Sequence, residues 1–195
     1  DAEALEAMPV EVKVAVTCSG TTFRADFTGT SPQVAAPINC VRSGPLAAVF
    51  YSLLSVVGPG AFRNGGMLRA VDLVLPEASV INAAPPAAVN ARMGVVRATT
   101  SAMLQALAAA LPDIMPAANS GMSYVLAFSG RDGAGKPFVS TEIIAGGAGG
   151  GPQDHGASGL STDVGNAMNM SAEALEAIAP VRLVTIPKEL AAHAL

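Results

Sequence analysis

Valines at positions 10, 12, 14 and 16 alternate with Glu11, Lys13 and Ala15, and no helix places such a series on one face. The pattern predicts a strand over Val10–Thr17 with the valines inward and Glu11 and Lys13 toward solvent. Ser19-Gly20 supplies a turn, and Thr21–Phe27 returns as the partner strand, so the chain opens on a β-hairpin. Gly29, free to take positive φ, and Pro32, with φ fixed, then break the second strand. Thr28, Thr30, Ser31, Gln33 and Asn39 follow within a dozen residues. Such a polar loop either punctuates the fold or lines a site.

The rest of the chain alternates helical and extended patterns. Leu46–Val57 reads as a helix stopped by Gly58-Pro59-Gly60. Met67–Leu75 reads as a strand, with a short one at Ser79–Asn82. Val89–Leu111 is the longest helical pattern: Met93, Val96, Thr100, Met103, Leu107 and Leu111 recur at helical spacing, and Pro112 ends it. Met122–Ser129 and Lys136–Ile144 form two strands joined across Arg131-Asp132-Gly133. Gly146–Gly165 is glycine-dense and without periodicity. Ser171 caps a short helix to Ile178, and Val181–Ile186 makes a final strand. Strands interspersed with helices, two of the pairs as hairpins, predict an α+β (mixed α/β) fold with antiparallel pairing. With neither an internal repeat nor a long linker, residues 1–195 are expected to form a single domain.

Charge is sparse: 13% of residues, against roughly 25% in a typical soluble domain. Two readings account for it: a surface covered by another chain, or hydropathy inflated by alanine and glycine. The 11 Lys and Arg are scattered, net charge is −4, and there is no tryptophan, which argues against nucleic acid as a partner. Cys18 and Cys40 have no metal-type spacing and are expected as free thiols. The uncharged stretch Ser43–Phe62 leaves about 13 residues of helix between its Pro and Gly breakers, too short to span a membrane. The acidic first residues do not read as a signal peptide, so a cytoplasmic protein is expected.

Several residues carry chemistry. The run Gly146-Gly147-Ala148-Gly149-Gly150-Gly151 lets amide N–H groups converge on an anion or lets another backbone approach closely; it matches neither a P-loop nor a Rossmann fingerprint. Asp154-His155 sits just beyond, where a histidine can act as general base. Arg92, near a helix start that prefers anions, is either held for a substrate or partner anion or paired with Asp72 or Glu77. Asn64 is a polar residue suited to a cleft. Glu142 and Asp26 each read as a base or a structural carboxylate. No nucleophile elbow is present.

Read together, Asp26-Phe27-Thr28-Gly29-Thr30-Ser31-Pro32-Gln33, Pro37-Ile38-Asn39-Cys40, Asn64-Gly65-Gly66, Leu75-Pro76-Glu77, Pro86-Ala87-Ala88-Val89 with Arg92, Ser120-Gly121-Met122, Gly146-Gly147-Ala148-Gly149 and Pro180-Val181-Arg182 occur in an order that resembles the hydantoinase B/oxoprolinase family. The resemblance runs from about Val10 to Leu183 and looks like the C-terminal half of a B-type subunit. It implies part of an ATP-dependent cyclic-amide hydrolase opening hydantoin, 5-oxoproline or lactam rings with a hydantoinase A-type partner. A subunit of a ketone carboxylase, or a non-catalytic assembly module, is the alternative. ATP and Mg would lie on the A-type partner, and a divalent metal (Zn or Mn type) on the N-terminal half of the B-type subunit, with no cofactor on this chain. Asp26, Arg92 and His155 are then the catalytic candidates. Asn39, Asn64, Gly146, Gly147, Gly149 and Asp154 are the candidates for contacting a small cyclic amide or ketone. The family's usual Asp-Gly is interrupted here by His155.

Overall fold

The computed structural model describes residues 9–183 apart from positions 59, 62, 162, 168 and 169. Strands β1 (Ala15–Ser19) and β2 (Thr22–Asp26) form the expected hairpin around Gly20, which takes φ 57°. The ladder starts later than the valine alternation. Residues before Ala15 bond instead to the loop that follows β2: Ser31 N–H donates to Glu11 C=O at 2.9 Å, and Lys13 N–H to the Thr30 hydroxyl at 3.1 Å. Asp26 is the reason, because its carboxylate accepts from Thr28 N–H (3.0 Å) and Oγ1 (2.6 Å) and turns the chain off the sheet. Val10, Val12, Val14 and Val16 still pack on the core, and Glu11 pairs with Lys13 at 3.3 Å in solvent.

Helix α1 (Ser43–Val57) carries the chain over the sheet, and β3 (Val71–Val74) returns parallel to β2, giving the order β1-β2-β3. A parallel neighbour needs such a crossover. The expected strand at Met67–Leu75 is shorter than that. Asn64 accepts from Gly66 N–H at 2.8 Å and caps a 3₁₀-helix, Gly65–Ala70, which takes up its first half. The segment Ser79–Asn82 forms isolated bridges with Pro32 and within itself, not a strand.

Helix α2 (Met93–Ala110) begins four residues after the expected start. It packs on α1 and buries Val95, Val96, Thr99, Thr100, Met103 and Leu107, while Met93 is exposed. Its two buried threonines return their hydroxyls to Val95 C=O (2.7 Å) and Val96 C=O (3.0 Å), so neither leaves an unsatisfied donor. Phe23, Ala25 and Phe27 belong to the same buried core. Removing Phe27 from water is worth about 1.5–3 kcal/mol.

Strands β4 (Tyr124–Arg131) and β5 (Pro137–Ile144) pair antiparallel around Asp132, whose Oδ1 accepts from Ala134 and Lys136 N–H at 2.9 Å each. This ribbon stands clear of the other sheet, with Val125 68% and Val139 78% exposed. Helix α3 (Ala172–Ile178) is capped by Ser171 as expected. Val181–Leu183 carry no strand, and positions 184–186 of the expected strand lie outside the described residues, as does His193. Among the described residues no helix is long and apolar enough to cross a membrane. Cys18 and Cys40 are free thiols.

Helix α1 starts in close contact with its surroundings: a Cβ on Gly44 would overlap the Cys40 sulfur and reach Val96 Cγ2 at 3.0 Å. Gly44→Ala is therefore expected to destabilise the chain by about 1–3 kcal/mol. Cys40→Ala in the same background should recover much of that loss. Urea denaturation of the two single variants and the double variant measures the coupling, and simple additivity would refute it.

Candidate functional site

The polar loop after β2 spends its side chains inside the protein. Ser31 Oγ accepts from Glu11 N–H at 2.9 Å, Gln33 Oε1 from Ala84 N–H at 2.8 Å, and Thr30 bonds both polar atoms of Lys13's backbone. Asn39 is fully buried. Its Oδ1 accepts from Val34 N–H at 2.8 Å, and its Nδ2 lies 2.8–3.0 Å from the carbonyls of Val34, Ala36 and Ala88. Asp26 is engaged by Thr28 and by Arg24 Nη2 at 3.1 Å; the Thr28 bonds come first in holding its carboxyl below the ordinary range. Arg24 also takes Asp72 at 2.5 Å, the acid that sequence offered to Arg92. Arg92 occupies the N-cap position of α2, exposed and without a side-chain capping bond. Among the described residues it has no ion-pair partner. Asn64 sits at the rim of an apolar groove between α1 and the 3₁₀-helix.

Gly149, Asp154 and His155 do come together. They line an open cleft of about 480 Å³ with Asp113, Ile114 and Gln153. The glycine run makes this wall by backbone packing. A Cβ on Gly146 would overlap Ser120 Oγ, one on Gly149 would overlap Ala117 C=O, and one on Gly147 would lie 2.9 Å from Ala157 C=O. The amides of Gly147, Ala148 and Gly151 donate to Ser120 Oγ, Ala157 C=O and Asp154 C=O at 2.8–3.0 Å. These three amides are therefore already bonded, and the polar side chains that line the cleft are Asp113, Gln153, Asp154 and His155. Glu142, on β5, accepts from Met170 N–H at 2.9 Å and fastens the ribbon to the segment before α3.

A second cleft, of about 330 Å³, gathers residues that sequence reading did not group. Arg97, on the second turn of α2, donates from Nη2 to Ser123 Oγ at 2.9 Å and to Ser161 Oγ at 3.2 Å. Its Nε is buried and has no acceptor among the described residues. Behind it Asp163, 5% exposed, gives its backbone N–H to the Tyr51 hydroxyl at 3.3 Å. Burial pushes the Asp163 carboxyl above the ordinary range, opposed by Tyr51 and by the charge of Arg97. Burial first, and then Asp163, pushes Tyr51 up as well. Asp163 and Val164 take φ of 50° and 33°, costly conformations for a carboxylate and a β-branched residue, in the loop that delivers Ser161 to the arginine. One signal in the sequence pointed here: Arg97 lies beside Val96 and one turn before Thr100 on a face of small and apolar residues. Among the described residues no three His, Cys, Asp or Glu side chains group as metal ligands.

Comparison with known proteins places the chain. Residues 1–187 match the family described as hydantoinase B/oxoprolinase. A protein described as the B-type subunit of a D-/L-hydantoinase, from Pseudomonas sp. (strain NS671), is 30% identical over 89% of this chain and 30% of its own length. The 5-oxoprolinase 1 of Arabidopsis thaliana is 32% identical over 81% of this chain and 12% of its own. The chain thus spans less than a third of these relatives. The fold is shared with the ATP-dependent caprolactamase of Pseudomonas jessenii, at TM-score 0.73 and 23% identity over 88% of this chain and 31% of that one. Acetone carboxylase shares it at TM-score 0.70 and 14% identity, over 86% and 23% of the two chains. The chain belongs to the hydantoinase B/oxoprolinase family.

The buried Asp163 sets a pH signature. Its folded pKa lies above the ordinary 3.8, so its stabilising contribution is complete below 3.8 and is lost as pH rises through the folded value. Asp163→Asn, neutral throughout, should gain in stability on the parent as pH rises across the acid range and then level off. Urea denaturation of both proteins over that range measures it, and a pH-independent difference would count against the buried carboxyl.

Proposed function

We propose that this hydantoinase B/oxoprolinase chain forms part of an ATP-dependent cyclic-amide hydrolase, opening hydantoin, 5-oxoproline or lactam rings with a hydantoinase A-type partner. One observation carries the reading: over four-fifths or more of this chain aligns with proteins described as a hydantoinase component and a 5-oxoprolinase. Both names concern rings closed by an amide. Such an amide resists water, and ATP used on the A-type partner supplies the activation. The described residues offer no metal-ligand group, so no metal-dependent step is assigned to them.

The chain's own contribution is one wall of the substrate site. His155 and Asp154 line the open cleft beside the glycine run, which supports a role for them toward a ring entering from solvent. An imidazole there can accept a proton from attacking water or return it to the leaving nitrogen. Close packing at Gly146, Gly147 and Gly149 fixes the run that leads into that wall, so the histidine is carried by a braced loop. A component of a ketone carboxylase is the second reading, favoured by the fold shared with acetone carboxylase.

The test is co-expression with an A-type partner and the remaining B-type sequence, followed by assay of the purified complex. ATP consumption coupled to opening of 5-oxoproline, hydantoin or caprolactam supports the proposal. Consumption only with a ketone and bicarbonate would replace it with the carboxylase reading, and an assembled but inert complex would leave an assembly module. Within an active complex, His155→Ala should lower kcat on the order of 100-fold without changing assembly. Arg92→Ala should impair turnover more than assembly; equal loss of both would identify a structural arginine.

A further inference from the structure

Alanine and glycine do not account for the exposed surface of the β4–β5 ribbon. Its largest exposures belong to valine, isoleucine, leucine and tyrosine, and a patch of that kind marks a contact surface. A two-stranded ribbon is also marginal by itself. Ladder partners share a face, so Val125 with Ile143 and Ser129 with Val139 lie on one side, and Leu126 with Glu142 on the other. The Glu142 side is partly engaged by the chain itself, through the bond from Met170 N–H and the edge-on packing of Phe128 and Phe138 at 6.5 Å. On the Val125 side all three apolar side chains, Val125, Ile143 and Val139, stay exposed.

Charge describes the occupant. The base of this face runs into the Arg97 cleft, where Val125 and Ile143 form walls with Met93 and Met122. A guanidinium carries five N–H donors, yet only Nη2 is bonded here, to Ser123 and Ser161, and Nε has no acceptor among the described residues. Among those residues no carboxylate oxygen lies within 4.0 Å of it. Asp163 feels the charge of Arg97 but is buried against Tyr51. The tip carries a second cation, Arg131, whose guanidinium bonds the Gly135 carbonyl at 2.7 Å and has no ion pair among the described residues. Asp132 beside it is committed to the turn. About 20 Å of strand separates Val125 from Arg131, and no acid stands among the ladder pairs of this face. An apolar strip between two cations is complementary to a polypeptide segment with apolar side chains and a carboxylate. We propose that this face seats such a segment of the remaining B-type sequence, its carboxylate bonding Arg97 between Ser123 and Ser161. The chain spans 30% of the Pseudomonas hydantoinase subunit and 31% of the caprolactamase chain, so most of each such polypeptide lies outside the part matched here. The proposal rests on the reading above that the chain works with that remaining sequence.

The experiment places a benzophenone photo-cross-linker at Val139 within the assembled complex and identifies the attached peptide by mass spectrometry. The expected product is a segment of the remaining B-type sequence with apolar residues around an Asp or Glu. Arg97→Met should lower the yield of that product about 10-fold, since a buried charge left without its partner is costly. Arg97→Lys should lower it less, because it keeps the charge and loses the planar fork. If Arg97→Met does not fold, exchanging the captured segment's acid for its amide makes the same comparison from the other side. Cross-linking only to the A-type partner or to a second copy of this chain, or none at all, would overturn the proposal. So would a captured segment without an acid, a yield indifferent to Arg97 and to that acid, or failure of the chain to co-purify with the remaining B-type sequence. Turnover separates the docking face from the function reading. A complex with the Arg97-dependent cross-link that opens no amide with ATP sinks only the latter. One that opens amides without the cross-link sinks only the former.

Discussion

One buried amide holds the loop-rich half of this fold together. Asn39 has no exposure, and its side chain reaches Val34 on both backbone atoms, Ala36 and Ala88. With two hydrogens and three carbonyls in reach, Nδ2 shares one between acceptors. The next residue continues the work: Cys40 N–H donates to Val80 C=O at 2.7 Å, and its carbonyl accepts from Ala83 at 2.9 Å. The stretch leading into α1 is thus tied to the stretches leading into α2. Their irregular backbone can lie in the interior only because it is so bonded. Remove the amide, and several part-buried backbone groups lose their partners.

With that anchor set, the two clefts form where regular structure gives out. One is walled in part by Gly149, pressed against the Ala117 carbonyl, where a side chain would collide. The other lies where a strained loop brings a serine to an arginine on the adjacent helix. The wall of the first is shaped by exclusion, while the second is assembled from polar groups with bonds to spare.

What the sequence made legible was periodic or local. Valine alternation located the first hairpin, a helical stripe located α2, and Ser171 and Asp132 marked a cap and a turn through their own side-chain bonds. The parallel placement of β3 was hidden because pairing partners across a crossover leave no local trace. Met67–Ala70 looked extended because its helical turn depends on the Asn64 cap. Asn39 and Asn64 were singled out as polar residues, but sequence does not separate a buried structural amide from an exposed one. Arg97, Ser123, Ser161 and Asp163 are far apart in the chain, and tertiary contact alone unites them.

The two thiols mark very different depths of the molecule. Cys18 is exposed at the end of the first hairpin, and Cys40 is buried over Gly44, its ionisation opposed first by that burial. A thiol reagent added to the unaltered chain would consume Cys18 at once and wait on Cys40. With a reagent that reacts faster than the chain recloses, that waiting time is the interval between openings of the joint at which both helices are fastened. The chain therefore carries its own clock for the breathing of its centre, readable without a single substitution.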